Sequence, residues 1–244
     1  PRASAQVTTS QPAPGAAAKA QSFESLKQRA KAGDAVAQRL LADTYEACFV
    51  VNLDRQHLLR IHQRMKQEKP EQAALLEHTL QQRMAQCDAV DGGALIPREL
   101  IDGWYAQAAA NGDLPARIMD YAHRRTPLDA DTATRLFEEV VASGDPAAMY
   151  NLGSALGSGF EENLREPYRS LAADPIAGQA WSVAACRLGY PCGPDSTDVG
   201  NFCLLVGRCL GETAEELVFA VAKSDEERAA LERKVQQIVD AVTQ

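Results

Sequence analysis

With 33 Asp and Glu against 25 Lys and Arg in 244 residues, the chain carries a formal charge of −8. That balance opposes general binding to nucleic acid or to an anionic membrane, both of which need a basic surface. The length suffices to bury a core unaided, as one extended domain or two small ones, and no apolar run approaches the roughly 18 residues that suggest a membrane-spanning helix.

Residues 1–20, PRASAQVTTSQPAPGAAAKA, hold almost no large apolar side chain, so burial cannot recover their ordering entropy. A flexible linker is expected there, ahead of an α-helical domain over 21–244. A first residue other than Met suggests a trimmed N-terminus. Such linkers often follow signal or lipid-attachment sequences, which makes a lipid tether upstream of Pro1 an expectation; a cloning boundary would look the same.

The first strong helical signal is AGDAVAQRLLADTY (32–45). Gly33 suits the left-handed conformation that closes one helix, and Asp34 can cap the next, so the pair predicts a corner between helices. DRQHLLRIHQRMKQE (54–68) and EQAALLEHTLQQRMAQ (71–86), parted by Pro70, read as an inserted helical pair within 50–90. The corner returns in ANGDLPARIMDY (110–121) and ASGDPAAMYNLG (142–153), and in a weaker copy, AADPIAGQAW (172–181), where Ala173 replaces the glycine.

Aligned on Asp34, Asp113, Asp145 and Asp174, all four segments carry Ala three residues later, at Ala37, Ala116, Ala148 and Ala177. Seven residues after the Asp stand Leu41, Asp120, Leu152 and Trp181; eight before it stand Leu26, Tyr105, Phe137 and Glu166. Each corner therefore joins two amphipathic helices. The last two intervals, 32 and 29 residues, suit helical hairpins that stack into a solenoid, and the first, 79 residues, holds the insertion.

From 180 onward, AWSVAACRLGYPCGPDSTDVGNFCLLVGRCL reads as a cysteine-rich hairpin, helix, turn and helix. SDEERAALERKVQQIVDAV (224–242) then supplies a closing helix, with Ser224 and Glu227 at capping-box spacing and Leu231, Val235, Ile238 and Val242 along one face. No alternating run bounded by turns indicates a sheet. The expected fold is all-α, a disulfide-stapled α-solenoid of helical hairpins with an inserted helical pair.

A small residue, Gly-Asp, two further residues, Ala, and an apolar helix ending in Leu-Gly or Tyr resembles the Sel-one-like repeat, a relative of the tetratricopeptide repeat. The best copy is LFEEVVASGDPAAMYNLGSALGSG (136–159), which keeps Gly153 after Leu152 and closes on Gly157 and Gly159. The resemblance implies a non-catalytic scaffold for protein partners, of the cysteine-bridged bacterial type found outside the cytoplasm.

Six cysteines, Cys48, Cys87, Cys186, Cys192, Cys203 and Cys209, make an even number. In an oxidising compartment that reads as three bridges, and in a reducing one as a metal site or buried thiols. Structural zinc sites usually place two to four residues inside each cysteine pair; the intervals here hold five. Cys48 and Cys87 flank the insertion and would staple it to the stack. For the last four, sequence leaves three connectivities open; antiparallel helices favour the nested one, Cys186 with Cys209 and Cys192 with Cys203. The compartment expected on these grounds is periplasmic or otherwise extracytoplasmic.

The four histidines, His57, His62, His78 and His123, fall in no HExxH motif and at no four-residue helical spacing. GSALGSG (153–159) lacks the Lys-Ser/Thr ending of a phosphate loop, and helix termination explains its glycines. No GxSxG occurs. Neither a cofactor nor a catalytic constellation is expected. Between residues 55 and 69 of the insertion, Arg55, Arg60, Arg64, Lys66 and Lys69 stand against one acid, Glu68, either as a solvated helix face or as a patch that steers an acidic protein. Tyr45, Trp104, Tyr121 and Tyr150 fall on the hairpin helices, where they pack the core or line a groove. The expected function is protein binding. An immunity protein or inhibitor that neutralises a secreted toxin enzyme in the periplasm is the alternative, and a hydrolase with a site invisible in sequence is a further one.

Overall fold

A computed structural model describes residues 14–124, 128–157, 160–209 and 212–243. Thirteen α-helices and no strand occur among the described residues. The expected linker over 1–20 lies outside them up to residue 13, and from Pro14 the chain is helical.

At each strong corner the backbone does what its two residues dictate. Helix α1 (Pro14–Lys31) meets α2 (Ala35–Leu53) at Gly33, φ +93°, and Asp34 accepts from Ala37 N at 3.0 Å. Between α5 (Arg98–Ala110) and α6 (Leu114–Arg124), Gly112 takes φ +91° and Asp113 accepts from Ala116 N at 2.8 Å. Between α7 (Ala130–Ser143) and α8 (Pro146–Ala155), Gly144 is left-handed and Asp145 caps Ala147 and Ala148. At the fourth corner, between α9 (Tyr168–Ala172) and α10 (Ala177–Arg187), Ala173 stays at φ −92°. A Cβ makes the left-handed region costly, so this turn differs, although Asp174 still accepts from Ile176 N at 3.1 Å.

Packing follows chain order: α1 on α2, α2 on α5, α5 on α6, α6 on α8 and α8 on α10. Ala37, Ala116, Ala148 and Ala177 are fully buried, which lets the helices approach. Two cores result. Leu41, Tyr45, Ile101 and Tyr105 centre the first, and Phe137, Met149, Leu152, Trp181 and Ile238 the second. Helix α6 belongs to both, through Ala116 and Ile118. Helix α13 (Asp225–Val242) closes the second core over α10, α7 and α9.

The insertion is the pair α3 (Arg55–Glu68) and α4 (Ala73–Asp88), tied to α2 by Cys48–Cys87 with Cα atoms 5.3 Å apart. The nested pairing of the other four cysteines is corrected: Cys186 bonds Cys192, and Cys203 bonds Cys209. Helix α11 (Thr197–Val206) does not return along α10; it crosses to α4. There Leu204 enters the first core, Arg83 donates to Thr197 O and Asn201 Oδ1, both at 3.0 Å, and Lys69 Nζ donates to Gly207 O at 2.7 Å. Each cysteine pair is left to close its own local loop. The C-terminal segment is thereby joined to the insertion, before α12 (Ala214–Ala220) returns the chain to α10. No helix among the described residues is long and apolar enough to cross a membrane.

Candidate binding surface

Arg39, Asp43 and Glu46 recur at helical spacing on α2 and face α5 and α6. Arg39 Nε donates to both Asp113 oxygens, at 3.0 and 3.2 Å, and Arg39 Nη1 lies 3.2 Å from Asp43 Oδ2. The hydroxyl of Tyr105 stands 2.7 Å from Asp43 Oδ1 and 3.0 Å from Glu46 Oε2, so one phenolic proton is shared between two carboxylates. Arg98 then lies 3.1 Å from Glu46 and 3.3 Å from Asp102.

These carboxylates titrate apart. Burial pushes Asp43 up to about 6, against the opposing pull of Tyr105 and Arg39. Its side chain is nevertheless 39% exposed. Burial also opposes ionisation of Glu46, but His123, Tyr105 and Arg98 outweigh it and hold that carboxyl below its usual range.

Further along, the Tyr150 ring of α8 stacks on Tyr190, with centroids 4.1 Å apart and planes 11° from parallel. The Tyr150 hydroxyl lies beside Asp198 of α11, whose carboxyl is raised by burial despite Tyr150 and Arg83. Tyr190 also feels the charges of Asp198 and Asp43, so these groups lie within electrostatic reach of one another. Tyr150 also borders a groove of about 590 Å³ between α8, α10 and α12, with Leu156 and Val218 on its walls.

The floor of that groove is a close helix crossing. A methyl group on Gly153 would stand 2.7 Å from Gly178 O, and one on Gly178 would stand 2.7 Å from Gly153 O. The Leu-Gly step singled out in the sequence is therefore a packing requirement between α8 and α10.

Of the aromatic residues expected to bind a partner, Tyr150 reaches the groove. Tyr45 is buried, edge-on to Phe23, and donates to Asp91 Oδ2 at 2.7 Å. Trp104 packs half-buried on the first core and Tyr121 on the second. The basic stretch of the insertion is dispersed. Arg55 pairs with Asp88 at 2.5 Å, Lys66 with Glu77 at 2.5 Å, and Lys69 with the Gly207 carbonyl. Arg60 and Arg64 remain exposed, one turn apart, with no ion pair to a described residue. Sequence reasoning passed over Asp43, Glu46, Tyr190 and Asp198; the spacing of Arg39, Asp43 and Glu46 on one helix face was the available signal for the first two.

His123 Nδ1 lies 2.9 Å from Asp102 Oδ1 and His123 Nε2 lies 3.3 Å from Glu46 Oε1. Both imidazole nitrogens face carboxylates, and neither is aimed at a hydroxyl nucleophile. Burial drives the Tyr105 phenol strongly upward, with Asp43 and Glu46 adding to the shift, the reverse of activation. His62 is buried, with Nε2 2.9 Å from Leu204 O, whereas His57 and His78 are exposed. No cluster of three metal-ligating side chains occurs among the described residues. The arrangement suits recognition by paired charge, hydroxyl and ring faces.

All six cysteines are bridged, the state of a chain matured in an oxidising environment. No protein family, curated protein or solved structure matches the chain.

Proposed function

We propose that this protein is a non-catalytic, protein-binding scaffold built from Sel-one-like helical hairpins, acting in the periplasm or another extracytoplasmic compartment. The observation that carries the reading is the stacked surface of α2, α5, α6, α8 and α10, which pack in chain order, with Tyr150 of α8 stacked on Tyr190. Stacked hairpins present such faces to extended partners. Aromatic rings with flanking charges supply contact area and orientation. Three disulfides hold the face in shape, so little order is lost on association. A lipid tether upstream of Pro1 belongs to the same reading, since it would keep such a scaffold at the envelope.

The second reading is an inhibitor or immunity protein that neutralises a secreted enzyme. The chain's net charge of −8 favours it, because an acidic, disulfide-braced surface is suited to capture of a basic enzyme. Affinity purification of the oxidised chain from its native envelope tests both. A partner protein at fixed stoichiometry is expected, and a toxin enzyme as that partner selects the second reading. Purification of the chain alone, together with hydrolysis of ester, peptide or phosphate substrates that His123→Ala abolishes, would overturn both.

A further inference from the structure

We infer that the groove between α8, α10 and α12 is a peptide-docking site whose occupant is an apolar segment of a partner protein bearing Lys or Arg; the inference rests on the scaffold reading. The cavity, of about 590 Å³, lies in the range of ligand-sized pockets. Its depth comes from residues with little side chain. Gly153 and Gly178 bring the two helices together, and Ala172 and Ala214 leave the flanks low. Leu156, Val218 and the Tyr150 ring give it apolar walls, which an aliphatic side chain would cover.

Charge selects the occupant. Glu161 and Asp174 are the acidic side chains on the lining, and no Lys or Arg is among the lining residues. Asp174 is neutralised by Lys234 Nζ at 2.6 Å. Glu161 has no ion pair to a described residue; its two oxygens accept from Gly157 N at 3.1 and 3.0 Å. A cation carried into the groove by the segment gains from Glu161. An acidic segment is repelled, and a second copy of this chain, at −8, brings charge of the wrong sign.

Two synthetic peptides of equal length, a Leu/Ala sequence carrying Lys residues and the same sequence with Glu at each Lys, test this by titration into the full-length oxidised ¹⁵N-labelled protein. The Lys peptide should move the amide signals of Gly153, Gly178 and Ser182, with affinity falling as salt is raised. Glu161→Gln and Gln179→Arg, both at accessible positions of the lining, should each weaken it several-fold with the helical circular dichroism unchanged. Preference for the Glu peptide, affinity for the Lys peptide unchanged in both variants, or binding of neither would overturn the groove assignment. So would concentration-dependent shifts at these amides with dimer formation, which would make a second copy the occupant. The scaffold reading stands or falls separately, because a native partner still held by Gln179→Arg would place binding on another face.

Discussion

Gly153 of α8 lies so close to Gly178 of α10 that a Cβ on either would stand 2.7 Å from the other's carbonyl oxygen. Backbone cannot yield as a flexible side chain does. Gly153→Ala and Gly178→Ala should therefore each destabilise the protein by about 1–3 kcal/mol, the range of core overpacking. Gly103 of α5 provides the opposite sign: a Cβ there meets nothing within 4 Å, so Gly103→Ala should stabilise by roughly 0.5–1 kcal/mol through helix propensity. Urea unfolding of the three variants checks both directions.

Arg39 and Asp113 test how one hairpin is locked to the next. The Asp113 side chain is 3% exposed, and it both caps α6 and receives Arg39. Arg39→Met leaves that carboxylate buried without its cation and should cost about 3–5 kcal/mol. Adding Asp113→Asn keeps a capping oxygen while removing the charge, so the double variant should recover part of the loss. A double-mutant cycle from denaturant curves measures the coupling, and strict additivity would contradict it.

Asp43 predicts a pH dependence whose sign is fixed by the direction of its shift. Burial raises the carboxyl from 3.8 to about 6 in the folded chain. Between those values the native state binds more protons than the unfolded state, so this group makes stability rise as pH falls through the window. Asp43→Asn removes that contribution. The melting temperature of the wild type relative to Asp43→Asn should therefore increase from pH 7 to pH 4.5. A carboxyl ¹³C titration of Asp43 should show a midpoint near 6, and an unshifted midpoint would contradict the burial assigned to it.

Several features could be read directly from residue types. Gly33, Gly112 and Gly144 fix corners because left-handed backbone is cheap for glycine alone, and Asp34, Asp113 and Asp145 cap because a short carboxylate reaches the free N–H groups. The buried alanines after each Asp followed from the same register. The path of α11 did not. Its attachment to the insertion depends on Arg83 of α4, His62 of α3 and Lys69 between them meeting carbonyls more than a hundred residues away, and no local periodicity encodes that. Pairing Cys186 with Cys209 failed for this reason. The capping box at Thr213 and Glu216 was legible and overlooked, whereas at Ser224 only half the box forms, since Glu227 accepts from Lys223 N instead. The cluster of Tyr150, Tyr190 and Asp198 was illegible because these residues are brought together only by packing across hairpins.

The three disulfides should differ in weight. Cys48–Cys87 spans a sequence separation of 39, and each of the other two a separation of 6. In the chain-entropy model the long loop contributes roughly 4 kcal/mol and each short one roughly 2 kcal/mol. Replacing each pair with alanines and comparing unfolding free energies should give that order. Peptide mapping without reduction should recover Cys186 joined to Cys192 and Cys203 to Cys209, and nested fragments would contradict the crossing of α11 to α4.

The central claim, that this chain holds a protein partner at the groove, is tested most directly by a photo-crosslinking amino acid placed at Gln179 on α10 and, separately, at Arg60 on α3, in the native host. Capture of one protein from Gln179 and not from Arg60, with the crosslink mapping to an apolar stretch that contains Lys or Arg, is the predicted result. Capture from Arg60 alone, or from neither position while the chain is folded and fully oxidised, would contradict it.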